Sequence, residues 1–412
     1  MPPSTTAPPA PRTAARLAPF GTTIFTEMTR LAIQHGAVNL AQGFPDFDGP
    51  EFIKAAARRA IDEGHNQYAR MFGIPALNRA IAASWKRDTG VEIDPDAHVT
   101  VTSGCTEALA AALIGLVNPG DEVILFEPFY DSYRACVAMA GAAPRFVTLR
   151  PPGAEHTGPA GAPSQFTFDP DELRLAFTPK TRAILINTPH NPTGKVFTAP
   201  ELQLIADLCS HHDVIAITDE VYERLTYEPA LPHIRLATLP GMAERTVTCS
   251  SLGKTFSLTG WKIGWTIAPP HLTAGVRAAH QFLTFATSTP FQIAAAEALT
   301  PGGPGDAATR ELVQELHAAR DFLAAALRSL GFKITVPAGA YFITADHTPF
   351  GYGDDVTFCR HLTTNVGVAA IPPSAFYSEP SRGSHLVRFA FCKKRATLEE
   401  AVSRLERNLR PR

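Results

Sequence analysis

The chain holds 412 residues, room for two or three domains at about 100–200 residues each. Its 37 lysines and arginines stand against 39 aspartates and glutamates, a balance with no strong pull on nucleic acid or an anionic membrane. Hydrophobic residues make up 45%, enough for a sizeable core, and the longest uncharged apolar stretch, Ala108 to Val117, falls well short of the roughly 18–20 residues that span a bilayer.

Residues 1–18 are rich in Pro, Ala and Thr, with no acid and no apolar run. They predict a disordered tail, with a transit peptide as the alternative. Order is expected from about Phe20. The stretch Val38 to Phe47 ends in Gly and Pro punctuation and reads as a loop. Residues 51–62 and 74–87 predict amphipathic helices. From about residue 98 the pattern alternates. Strands are predicted at His98–Thr102, Glu122–Phe126, Arg145–Leu149, Arg182–Asn187, Val214–Thr218 and Thr246–Cys249. An Ala/Leu helix follows Glu107, and another helix is predicted over Glu201–Cys209. Short continuous apolar strands between helices predict an α/β fold with a mostly parallel sheet sandwiched by helices. Residues 151–169, rich in Pro, Gly and Ala, read as a surface excursion. A long helix over about 305–330 and strands near Phe332–Val336, Tyr341–Ala345, Val366–Ile371 and Leu386–Phe391 predict a smaller α+β domain.

Six cysteines, none at CxxC spacing, argue against a disulfide scaffold and against a zinc or redox motif. A reducing cytoplasm is the simple expectation. His211 and His212 are adjacent and no HExxH occurs, so no metal site is expected.

Four segments carry candidate chemistry. Ser103-Gly104-Cys105-Thr106-Glu107 is a strand-to-helix turn, which is either a plain turn or an anion site built on free backbone N–H groups. Asp219 follows the apolar run Val214–Thr218. It is either a helix cap or the partner of a buried cation at the carboxyl end of a strand, where open α/β sheets bind ligands. Tyr222 lies three residues on. The segment Ser250 to Trp265 sets Lys254 and Lys262 among hydroxyls, glycines and tryptophans. A lysine in low dielectric beside other positive charge has a depressed pKa and becomes a nucleophilic amine. Asn187-Thr188-Pro189-His190-Asn191-Pro192-Thr193-Gly194 is either a Pro-rich turn or the mount for an amide at Asn191 that donates to a ligand oxygen.

Taken together, the lysine segment, the Asn191-Pro192-Thr193-Gly194 turn and the Thr218-Asp219-Glu220-Val221-Tyr222-Glu223 segment resemble the class I/II pyridoxal-phosphate aminotransferases of fold type I. The resemblance runs from about Phe20 to the C-terminus. Within the family it looks most like methionine aminotransferases and the related kynurenine/glutamine aminotransferases, through Ala41 to Phe47, Asn66-Gln67-Tyr68-Ala69-Arg70 and the lysine segment itself. It implies an aspartate-aminotransferase-like large domain at 49–289, an N-terminal arm at 19–48 and a small C-terminal domain at 290–412. It further implies pyridoxal 5′-phosphate as cofactor, amino-acid and 2-oxo-acid substrates, a ping-pong cycle and a homodimer with shared active sites.

The same resemblance assigns roles residue by residue. Lys254 is the lysine that bonds the cofactor and moves the substrate proton, and Asp219 is the acid at the pyridine nitrogen. Asn191 and Tyr222 face the phenolate oxygen, and Tyr130 stacks on the ring. Gly104, Cys105, Thr106, Ser251 and Lys262 form the phosphate cup, where many relatives carry arginine in place of Lys262. Tyr68 reaches the phosphate of the neighbouring subunit. Arg388 clamps the substrate carboxylate with help from Gly43 and Asn191, while Phe25, Tyr68 and Phe285 build an apolar side-chain pocket. No second arginine is evident for a dicarboxylate, which favours methionine. Kynurenine or glutamine transamination, cysteine-conjugate β-lyase activity and succinyl-diaminopimelate transamination are the alternatives.

Overall fold

A computed structural model describes residues 13–152 and 164–411. Its strands, in chain order, are β1 (Val38–Asn39), β2 (Val99–Ser103), β3 (Glu122–Glu127), β4 (Ala143–Thr148), β5 (Thr181–Asn187), β6 (Ile215–Asp219), β7 (Thr246–Ser251), β8 (Ile263–Ile267), β9 (Lys333–Thr335), β10 (Phe342–Asp346), β11 (Val368–Ala369) and β12 (Leu386–Ala390). Seven of them form one sheet in the order β2-β8-β7-β6-β5-β3-β4. All neighbours run parallel except β8, which is antiparallel to both β2 and β7.

The pleat explains why these strands read as unbroken apolar runs. Val123, Leu125, Ala183, Leu185, Ile215 and Ile217 point to one face. There they meet Ala108, Leu109 and Leu113 of helix Gly104–Leu116 and Leu272 and Val276 of helix Pro270–Leu283. Their neighbours Ile124, Phe126, Ile184, Ile186 and Ala216 point to the other face, against Leu202, Ile205 and Ala206 of helix Ala199–His212. With both faces covered, alternation between apolar and polar residues disappears. A second sheet, antiparallel and ordered β12-β10-β9, carries Arg388 on its edge strand β12 and packs with helices Pro304–Ser329 and Arg395–Asn408.

The structure departs from the sequence expectations in four places. The loop expected at Val38–Phe47 begins with β1, which pairs in parallel with β11. The strand expected over Val366–Ile371 is reduced to β11, because the chain before it closes a wide helical turn at Leu362–Val366. The lysine segment, where no element is expected beyond Cys249, supplies a short helix at Leu252–Thr255 and then the whole of β8. Of the expected N-terminal tail, Ala15–Leu17 form one 3₁₀ turn, and residues 1–12 lie outside the described residues. Residues 153–163 of the expected surface excursion also lie outside them; Thr167 beyond them bridges back to Arg150. No helix of the described residues is long and apolar enough to cross a membrane.

Candidate active site

The carboxyl ends of β5, β6 and β7 bring Asn187, Asp219 and Ser251 to one edge of the sheet, where they line a cavity of ≈ 430 Å³. Its walls also hold Phe25, Gly43, Gly104, Cys105, Thr106, Tyr130, Asn191, Tyr222, Lys254, Lys262 and Arg388. Residues from eight separate stretches of sequence thus meet in one place.

Asp219 is the last residue of β6 and is 5% exposed. Its Oδ2 accepts from the Tyr133 hydroxyl at 2.7 Å. Its Oδ1 accepts from the Val221 N–H at 3.3 Å and faces the Cys105 thiol at 3.5 Å. Burial pushes the carboxyl above its ordinary range, and the Tyr133, Val221 and Cys105 contacts only partly offset this. Such a carboxylate suits a cationic ligand atom. The next residue points the other way. Glu220 is fully buried and accepts from Arg235 Nη1 at 2.6 Å and Thr218 Oγ1 at 2.9 Å, with His233 Nε2 at 2.9 Å. Burial pushes its carboxyl up, but His233 and Arg235 outweigh that and hold it below the ordinary value.

Lys254 sits in the short helix after β7, its Nζ donating to the Gly43 carbonyl at 3.3 Å. The ammonium lies 5.8 Å from the Tyr222 ring centre and 5.6 Å from that of Tyr341. Burial lowers its pKa, and Arg388 adds to the effect. That is the condition for an amine nucleophile.

Gly104 opens helix Gly104–Leu116 with φ of 74°, a conformation costly for any other residue. Lys262 Nζ lies beside it, 3.2 Å from where a Cβ would be. Gly264 of β8 holds this junction tight, since a Cβ there would sit 2.4 Å from the Gly104 carbonyl carbon. A helix N-terminus, an ammonium and the hydroxyl-bearing Ser251 and Thr106 line the same cavity, a donor set suited to a phosphate.

Arg388 is 1% exposed. Its Nη1 donates to Asn191 Oδ1 at 3.0 Å and its Nη2 to the Ala41 carbonyl at 2.8 Å. Nε has no hydrogen-bond partner among the described residues. The guanidinium lies 4.3 Å from the Phe342 ring centre and 5.2 Å from that of Phe25. Burial lowers its pKa to about 10. A buried fork in the wall of a cavity, with one N–H unpartnered, suits a planar carboxylate.

Tyr130 lines the cavity, its hydroxyl raised to about 12 by burial, and packs edge-on against Tyr133. Tyr68 and Phe285 do not reach their own chain's cavity. They form an edge-to-face pair at 5.6 Å on the surface, 87% and 44% exposed. The sequence reading missed three supporting groups. Tyr133 bonds Asp219, and the one-turn spacing from Tyr130 was the available signal. Asn187 holds two site segments together: its Nδ2 donates to the Asp219 carbonyl at 2.9 Å and its Oδ1 accepts from the Asn191 N–H at 2.6 Å. Tyr341 donates to the Gly43 carbonyl at 2.6 Å, the same oxygen that meets Lys254. No sequence signal pointed to it.

The fold and the lysine–carboxylate–arginine pocket define an enzyme of the aminotransferase kind. The sequence model described as "Aminotransferase class I and II" matches residues 36–405, and the chain belongs to that family. It is 50% identical over 402 residues to a probable N-succinyldiaminopimelate aminotransferase of Mycobacterium tuberculosis, covering 95% of this chain and 98% of the relative. It is 39% identical over 391 residues to the methionine aminotransferase of Escherichia coli, covering 95% and 97%. A solved N-succinyldiaminopimelate aminotransferase from M. tuberculosis superposes with a TM-score of 0.90 at 51% identity, over 95% of this chain and 99% of that one. The fold is therefore that of the aspartate-aminotransferase group, and the cofactor is pyridoxal 5′-phosphate. The residues fit it: Asp219 for a protonated ring nitrogen, the turn at Gly104 with Lys262 for a phosphate, Lys254 for an aldehyde.

Proposed function

We propose that the chain moves the amino group of an apolar, sulfur-containing or aromatic L-amino acid, methionine foremost, to a 2-oxo acid in a ping-pong cycle. The observation that carries this reading is the set of cations in the cavity wall. Among the described lining residues these are Lys254, Lys262 and Arg388, and each already has a task at the amine, the phosphate or the α-carboxylate. A second substrate carboxylate would find no further cation there. It would meet Asp131, a carboxylate in the wall whose pKa burial raises. Phe25, Phe44 and Phe342 offer apolar surface instead.

When bound, the cofactor supplies an electron sink that acidifies the substrate Cα–H. In this reading Lys254 would hold the cofactor through its aldehyde and would take the Cα proton of the substrate. Asp219 keeps a proton on the ring nitrogen, and Tyr133 keeps Asp219 oriented. Asn191 uses Oδ1 toward Arg388, which leaves its amide N–H free for the phenolate oxygen beside the Tyr222 hydroxyl. Tyr130 covers a ring face. Arg388 orients the α-carboxylate with the Gly43 segment, so that Cα–H faces Lys254.

We further propose a homodimer. The surface aromatics Tyr68 and Phe285, with Phe282 84% exposed close by in sequence, would then complete the partner's phosphate site and side-chain pocket. Size-exclusion chromatography with light scattering tests this; a monomer that stays fully active refutes it. All six cysteines are buried and unpaired, which supports a reducing, cytoplasmic setting.

The test of substrate class is a panel of twenty amino donors against 2-oxoglutarate and 4-methylthio-2-oxobutanoate. Methionine and aromatic donors are expected to lead, with aspartate poor. The 50% identity to the M. tuberculosis relative favours a second reading, transamination of N-succinyl-diaminopimelate. A kcat/KM for that donor far above methionine's would replace the first reading with the second.

A further inference from the structure

Behind the phosphate-suited turn lies a buried charge pair that the mechanism above does not use. Glu107 belongs to the first turn of helix Gly104–Leu116, and His280 to the last turn of helix Pro270–Leu283. His280 Nδ1 lies 2.6 Å from Glu107 Oε1, the two side chains being 0% and 9% exposed. On the other side of the ring, Nε2 lies 2.8 Å from the Met71 carbonyl. A carbonyl oxygen only accepts, so Nε2 carries a hydrogen. Glu107 Oε1 already accepts from the Thr284 hydroxyl at 2.6 Å, and Oε2 accepts from the Ser103 N–H. With Glu107 ionised, Nδ1 must carry a hydrogen as well. Donors at both nitrogens make the ring an imidazolium.

Three chain segments converge on this one cation. Met71 ends the segment that carries Tyr68, Ser103 and Glu107 frame the turn at Gly104, and Thr284 precedes Phe285. We propose that Glu107 and protonated His280 are a positioning pair that fixes the Gly104–Thr106 turn and the Tyr68–Phe285 aromatics as one unit, and so sets the affinity for the cofactor's phosphate. The inference rests on the reading that this turn holds the phosphate.

The surroundings agree. Burial pushes His280 down, but Glu107 outweighs it and its pKa is raised overall. Burial pushes Glu107 up, but His280, Thr284 and Ser103 outweigh it and its pKa is lowered. Among the described residues Arg277, one turn earlier on the same helix, also acts on His280 and opposes the imidazolium. Arg277 is itself influenced by Arg70, Asp96 and Asp94 from the neighbouring segments. Because the raised pKa belongs to the folded state, the clamp is complete below it and is lost as pH rises through it.

The test strips the full chain of cofactor and titrates it with pyridoxal phosphate and with pyridoxal, which lacks the phosphate. The ratio of the two affinities cancels the ionisation of Lys254 and isolates the phosphate. In the wild type this ratio falls as pH rises through the His280 titration. In His280→Gln, or in Glu107→Gln should the first variant fold poorly, the ratio is already lower by roughly tenfold, the loss of about one charge-assisted contact, and lacks the fall through the His280 titration. Lys262→Ala is the control. If it lowers the ratio while both pair variants keep the wild-type ratio and pH profile, the inference falls and the phosphate placement stands. If Lys262→Ala leaves the ratio unchanged, the phosphate placement fails and takes the inference with it. A pair variant that weakens both ligands equally and only lowers Tm is structural, and that also overturns the proposal.

Discussion

Replacing Arg388 with lysine keeps one positive charge and removes the fork. The native guanidinium spends Nη1 on Asn191 and Nη2 on the Ala41 carbonyl, and holds Nε in reserve. An ammonium on a shorter reach carries three donors on a single nitrogen, so it loses the planar, two-point fit to a carboxylate. Charge-assisted hydrogen bonds are worth about 1.5–3 kcal/mol each, so Arg388→Lys should lose about 2–3 kcal/mol of transition-state binding. At about 1.4 kcal/mol per factor of ten, kcat/KM for methionine should drop roughly thirty- to hundredfold. The assay is the amino-acid half-reaction followed by stopped-flow at the cofactor's absorbance. The comparison substrate is 3-methylthiopropylamine, the same side chain without the carboxylate. That amine should react equally with wild type and variant. An equal loss on both substrates would refute the reasoning, because it would mean that Arg388 shapes the site without touching the carboxylate.

Lys254→Ala should abolish turnover and change the visible absorbance of bound cofactor; an unchanged spectrum contradicts the lysine assignment. Tyr133→Phe removes one of the contacts that offset the burial of Asp219, so the carboxyl pKa rises further and less of it is ionised at a given pH. The acid limb of the pH–rate profile should therefore move to higher pH, and a profile identical to wild type counts against it. Gly264→Ala forces a Cβ to 2.4 Å from the Gly104 carbonyl carbon and 2.6 Å from the Cys105 nitrogen. Overpacking of this kind costs about 1–3 kcal/mol, read by urea denaturation, and cofactor affinity should fall with it.

Where the sequence spoke clearly, one physical cause was responsible. A strand buried on both faces, such as Val123 to Phe126 or Ala183 to Ile186, has no choice but to be apolar throughout, and that shows in a string of letters. β8 stayed hidden for the opposite reason. Gly264 is its second residue because the Gly104 turn leaves no room for a Cβ, and a glycine inside a short run reads as a breaker. β1 is two residues long and exists only because β11 lies alongside it, so no local pattern could announce it. In the site, Lys254, Asp219, Asn191 and Arg388 were legible through their motifs and now line one cavity. Tyr133, Asn187 and Tyr341 were not, since their part is to hold other groups still, and any residue of suitable shape at many positions could do that.

Asp219 and Glu220 are adjacent in the chain and chemically near-identical, yet the pleat sends one toward hydroxyl and thiol neighbours and the other among an arginine and a histidine. Slippage of β6 by a single position would exchange the two environments. The ladder that aligns Asn187, Asp219 and Cys249 thus works as a reading frame for charge: it decides which of two like carboxylates stays unneutralised in the cavity.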